Sequence, residues 1–151
     1  MKARGFTLIE MVVVIVVLGI LAVTAAPKFL NLQDDSNEVV IKGVKGAAVS
    51  GVSLFHSRWL LDGEPVPTTS WGDKISELHY NKFGYPRIIG SLQECDTILK
   101  NLINNQDYGE EDYSYSIAGS GEGNQCIYTF LKASYEMRYV EQTGEITLSK
   151  T

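Results

Sequence analysis

The sequence predicts an α+β protein in which a long N-terminal α-helix packs on a small antiparallel sheet, and three observations predict it. Residues 11–23 (MVVVIVVLGILAV) are apolar without interruption. Apolar residues then recur at helical spacing as far as Trp59. Beyond residue 110 the pattern changes to short alternating runs, with glycine in the turns at 119–123 and 142–144. A helix followed by a run of strands is the signature of helix on antiparallel sheet.

Residues 6–26 come first. Coiled as a helix, 21 residues span about 31 Å, the thickness of a bilayer's hydrocarbon core. Glu10 is the one charge among them, with Lys2 and Arg4 ahead and Lys28, Asp34, Asp35 and Glu38 beyond. By the positive-inside rule, residues 1–5 stay in the cytoplasm and the large C-terminal part crosses the membrane. Gly19 and Pro27 both weaken a helix, the first by backbone entropy and the second by a lost hydrogen bond and a clash one turn back. The stretch between them can bend or partly unwind; the plain alternative is a tolerated glycine and a simple proline bend. In an isolated chain the expectation is a continuous helix kinked near Pro27.

The helix then passes a polar patch (Asn31, Gln33, Asp34, Asp35, Ser36) into an amphipathic half marked by Val40, Val44, Ala47, Ala48, Val52, Phe55 and Trp59. It should stop near Asp62 and Gly63, where EPVP begins a loop. The expected organisation is a leader at 1–5, a long helix at 6–61 whose part 6–26 spans the membrane or forms a filament core, and a globular head at 62–151. Within the head, residues 75–80 read as a short strand. Ser91 and Glu94 read as a capping box for a second helix at 92–104. Four more strands are expected at 113–118, 126–133, 135–140 and 145–149.

Cys95 and Cys126 have no cysteine or histidine at metal-ligand spacing beside them. In an exported domain a disulfide is their natural state, tying the second helix to the sheet; two free buried thiols are the alternative. Closing a loop of that length stabilises a fold by roughly 3–4 kcal/mol on the chain-entropy model.

Little in the chain suggests catalysis. Net charge is −5, with no basic stripe, so no nucleic-acid partner is expected. His56 and His79 stand alone, and a metal site needs a converging set. Asp34, Asp35 and Glu38 lack the alternating spacing of a calcium loop and read as a solvated helix face. The alternating glycines at 119–123 have neither the strand-to-helix setting nor the lysine of a phosphate loop. No nucleophile and base can be paired. Enzyme activity, cofactor and metal are all expected to be none.

Glu10 carries the strongest functional signal. A carboxylate inside a membrane helix costs about 2.5–3.5 kcal/mol unless it finds a partner. If the chain is cut after Gly5, the new α-amine of Phe6 lies four residues before Glu10 on one helix face. A neighbouring copy shifted by about one turn then pairs its amine with this carboxylate in an apolar interior, and that pairing fixes axial register. Three plainer readings compete: a secretory signal peptide cut after Ala26, a signal anchor with an accidental glutamate, and a buried core helix. Cleavage just before Pro27 is poor chemistry for the first, and 13 unbroken apolar residues ill suit the last in so small a domain.

The run GFTLIE at residues 5–10, after a short basic leader and before a valine- and isoleucine-rich helix, resembles the N-terminal signal of type IV pilins and their relatives. That resemblance implies cleavage between Gly5 and Phe6 by a membrane prepilin peptidase, N-methylation of Phe6 by the same enzyme, and pairing of Glu10 with the Phe6 amine of an adjacent subunit. It also implies melting of the helix between Gly19 and Pro27 in the fibre. Residues 12–35, the GYP at 84–86 and residues 44–58 are similar to the mannose-sensitive haemagglutinin (MSHA) pilins, major and minor. The likeness implies a structural subunit, held in the inner membrane with its head in the periplasm. There the inner-membrane assembly machinery polymerises it with other pilins into a surface fibre used in attachment and biofilm formation. A minor pilin that primes assembly, a type II secretion pseudopilin and a signal-anchored periplasmic binding protein are the alternatives. Major pseudopilins usually lack such a cysteine pair, which favours a pilin.

Overall fold

The computed structural model describes residues 6–68, 73–75, 77–104 and 111–151, with the side chains of Phe29, Leu30, Asn31, Gln33, Asp34 and Glu122 outside that description. Helix α1 runs Leu8–Leu61 without a break, through Gly19 and Pro27. By internal contacts the chain divides into Met1–Asn37 and Glu38–Thr151. The first unit, where described, is helix with its side chains turned outward. The second holds the hydrophobic core.

In that second unit, the face of α1 that enters the core is Ile41, Ala48, Val52, Phe55 and Trp59, with Val44 partly buried beside them. Spacings of three and four residues put these on one stripe. Val40 and Ala47, expected inside, are exposed, and Ile41 takes the inner position. Both choices are apolar one residue apart, so periodicity alone left the face uncertain by about 100°. The helix ends where expected: Leu61 is followed by Gly63 and Glu64, both at positive φ. There the Trp59 indole donates to the Pro65 carbonyl at 3.0 Å.

Residues 75–80 are not one strand. They contribute to a tight pair, β1 (Lys74–Ile75) and β2 (Leu78–His79), joined antiparallel, with Tyr80 bridging to Pro86. The next turn is organised by Asn81. Its Oδ1 accepts from the amides of Phe83 and Tyr85, and its Nδ2 donates to the Glu141 carbonyl at 2.6 Å. Gly84 sits at φ +76° with its α-carbon against the Trp59 ring, where a Cβ would collide with the indole. The GYP tripeptide is thus a packing device.

Helix α2 (Leu92–Leu102) is a turn's fraction shorter than the expected 92–104. It buries Cys95, Ile98, Leu99 and Leu102, again one stripe. Its capping box is half formed. Glu94 reaches back to accept from the Ile89 amide, while the Ser91 hydroxyl bonds Gln93 and caps nothing. Burial pushes the Glu94 carboxyl up, and the bond from the Ile89 amide partly offsets it. Gly51 lets α1 and α2 touch, since a Cβ there would strike the Leu102 carbonyl.

The sheet is a four-stranded antiparallel meander, β3 (Tyr113–Ala118), β4 (Gln125–Phe130), β5 (Tyr135–Val140) and β6 (Ile146–Lys150), in chain order. β4 stops at Phe130, short of the expected Ala133, because Leu131 and its successors make the turn into β5. Register lines Tyr115, Tyr128, Met137 and Leu148 across one row, and Ile117, Cys126, Tyr139 and Ile146 across the next. Cys95 and Cys126 are bonded and fully buried. The disulfide fastens α2 to β4, as the sequence suggested.

Three tyrosines are the largest fully buried side chains. Each spends its hydroxyl inside: Tyr113 on Asp96 at 2.6 Å, Tyr128 on the Cys95 carbonyl at 2.8 Å, Tyr139 on the Pro86 carbonyl at 2.7 Å. Burial raises the Tyr128 and Tyr139 hydroxyls well above the ordinary 10.0. A folded-state value above the unfolded one gives stability that is whole below about pH 10 and is lost as pH rises further, because the unfolded chain sheds those protons more readily. Absorbance titration of phenolate should therefore show Tyr128 and Tyr139 ionising only together with loss of near-ultraviolet circular dichroism. Their smooth ionisation at pH 10 in an intact fold would contradict the packing.

Candidate assembly site at the N-terminus

Helix α1 begins at Leu8, preceded by Phe6 and Thr7 outside any regular element. From Phe6 to Thr24 every residue is exposed, including Phe6 at 85% and Leu8 at 82%. The segment Leu8–Lys28 is long and apolar enough to cross a membrane. Asp35–Leu61 passes the same test of length and composition, but its apolar stripe is occupied in the core of the second unit. So much exposed apolar surface at the N-terminus is stable only against lipid or other protein.

Glu10 lies on this segment, one turn in. Its Oε2 accepts two hydrogen bonds from Thr7, from the backbone amide at 2.8 Å and from Oγ1 at 2.9 Å. The Glu10 amide in turn donates to Thr7 Oγ1 at 3.3 Å. Thr7-Leu8-Ile9-Glu10 is thus a reciprocal capping box, which satisfies two of the amides that a helix start leaves orphaned. Threonine with glutamate three residues later is the standard sequence sign of such a cap, and here it is masked by the stronger signal of the intramembrane charge.

Gly5 and the leader at 1–5 lie outside the described residues; Phe6 is the first described. Gly19 has no atom near the place a Cβ would take. Thr24, between Gly19 and Pro27, turns its hydroxyl back on the Leu21 carbonyl at 2.9 Å, a bond that commonly loosens a helix locally. Of the residues singled out in the sequence, Cys95 and Cys126 are brought together, and Phe6 and Glu10 share the helix start.

The other candidates are used structurally. His56 stacks between Trp59 and Tyr85, at 5.5 and 4.6 Å between ring centres. Glu38 pairs with Lys42 at 2.5 Å and also accepts from the Tyr135 hydroxyl; these bonds hold its carboxyl below the usual range. Among the described residues no three His, Cys, Asp or Glu side chains gather as a metal set.

The prokaryotic N-terminal methylation motif matches residues 1–26. Similarity to curated proteins reaches further. The type IV narrow pilus major component PilA5 of Thermus thermophilus is 41% identical over 54 residues, 36% of this chain and 47% of that protein. The type II secretion system core protein G of Escherichia coli is 33% identical over 96 residues, covering 56% of this chain and 61% of the relative. The type IV major pilin protein PilA of Myxococcus xanthus is 28% identical over 101 residues, with shares of 63% and 41%. In each case the chain spans less than two thirds of the relative's length. No solved structure matches significantly. The relatives named are thus two type IV pilus components and a type II secretion core protein. The long helix with an antiparallel sheet is consistent with the type IV pilin fold.

Because the Gly19 side is open, Gly19→Ala should be accommodated without strain and should favour helix by about 1 kcal/mol. Circular dichroism of the full chain in detergent micelles should show as much helix as the parent or more. A loss of helix would mean that Gly19 is packed in a way the isolated chain does not show.

Proposed function

We propose that this chain is a structural subunit of a type IV pilus, of the MSHA type, and that it polymerises through its N-terminal helix. The observation that carries this reading is Glu10: a carboxylate in an exposed, otherwise uncharged apolar helix, inside a prepilin methylation motif. Cleavage between Gly5 and Phe6 by a prepilin peptidase, with methylation of Phe6, frees an amine four residues ahead of it. The chain then rests in the inner membrane, spanning it once through residues 6–26, with the head in the periplasm. Assembly machinery moves it into a fibre with other pilins, where the Phe6 amine of one subunit meets Glu10 of the next. Unwinding between Gly19 and Pro27 eases the packing of helices in that fibre. Attachment and biofilm formation are the uses such a fibre serves.

A pseudopilin is the second reading, and the likeness to type II secretion core protein G favours it. The disulfide, which ties head elements α2 and β4, favours a pilin, because major pseudopilins usually lack such a pair. A minor pilin that primes assembly shares every feature of the first reading except abundance.

Intact-mass and N-terminal analysis of material sheared from cells separates these. The expected product begins at methylated Phe6 and is abundant in the sheared fibres. A chain still beginning at Met1 sinks the prepilin reading. A processed but scarce chain points to a minor pilin or a pseudopilin.

A further inference from the structure

The hydrogen bonds at Glu10 are unequally shared between its two carboxylate oxygens. Both Thr7 donors, the amide at 2.8 Å and the hydroxyl at 2.9 Å, go to Oε2. Among the described residues Oε1 accepts no hydrogen bond. A carboxylate has about four acceptor sites in all, so one oxygen is engaged within the chain and the other is open. The engaged side is held from both directions, because the Glu10 amide returns a bond to the same threonine hydroxyl at 3.3 Å.

We propose that Thr7 is a positioning residue for subunit pairing: it pins Oε2 of Glu10 and leaves Oε1 to take the Phe6 amine of a neighbouring subunit. The proposal rests on the prepilin reading above. Thr7 contributes two neutral donors, so the carboxylate is partly satisfied in lipid while its charge remains available to an amine. Glutamate otherwise loses rotamer freedom when it is captured, and here that loss is taken before the neighbour arrives. The cap also survives processing. Its backbone donor is the amide between Phe6 and Thr7, on the mature side of the cut between Gly5 and Phe6. Serine can supply both donors, whereas valine keeps the shape of threonine and supplies only the amide.

The test uses the full chain expressed in its own assembly system, as Thr7→Val, Thr7→Ser and Glu10→Ala. Fibre yield is measured per processed, methylated subunit in the membrane, so that differences in cleavage divide out. For Thr7→Val the yield should fall roughly fivefold, on the scale of one lost cap, and Thr7→Ser should restore it. A second measurement tracks hydrogen exchange of the Thr7 amide in micelles, which should be slower in the parent than in Glu10→Ala by about tenfold. Parental yield from Thr7→Val, a Ser variant no better than Val, or equally fast exchange in the parent and Glu10→Ala overturns the role of Thr7. Parental yield from Glu10→Ala is a different result: it overturns the pairing itself.

Discussion

Assembly, as proposed, depends on the placement of one carboxylate in an apolar helix. Glu10 is costly in a bilayer, about 2.5–3.5 kcal/mol at the centre of a span and less toward its ends. Within the isolated chain it caps the helix start, but the helix around it has no core to enter. In the proposed assembly a partner charge from outside the chain relieves the cost, and an amine freed at Phe6 would have the right sign. Thr7 satisfies part of the carboxylate within the chain; on the proposed reading an amine from another copy completes the set.

The second unit is a fold with its own core, carried on the same helix. That core is closed by stripes from α1 and α2 against the inner rows of the meander, and three buried tyrosines spend their hydroxyls on structure. One disulfide adds a covalent tie in a domain of modest size. A unit that holds its own core suits the proposed transfer from membrane to fibre, because its packing does not draw on contacts with lipid.

Much of this was legible in the sequence, for reasons that differ by element. The first helix could be read because 13 consecutive apolar residues leave few alternatives. The meander was legible because alternation has a period of two and two of its three turns carry glycine. The stripe of α1 was placed only approximately. Val40 and Ile41 are both apolar, and the choice between them is made by what the head packs there. The pair of β1 and β2 was read as a single strand because the two strands follow closely, with no glycine or proline between them to mark a break. The GYP motif was noticed for its likeness, while its physical cause, a backbone pressed on Trp59, needed coordinates. At the functional site, Glu10 was conspicuous as a charge out of place. Its bonds to Thr7 drew no notice because a capping box is usually only structural.

The central claim, that the amine of one subunit meets the carboxylate of another, has a direct test. Fibres grown from a mixture of nitrogen-14 and nitrogen-15 cells' subunits, reassembled together, can be treated with a zero-length carbodiimide and digested. The account predicts a peptide pair joined between the Phe6 amine and the Glu10 side chain, with half-labelled masses that prove two chains. Linkage confined to single-isotope masses, or no linkage at Glu10 in intact fibres, would contradict it.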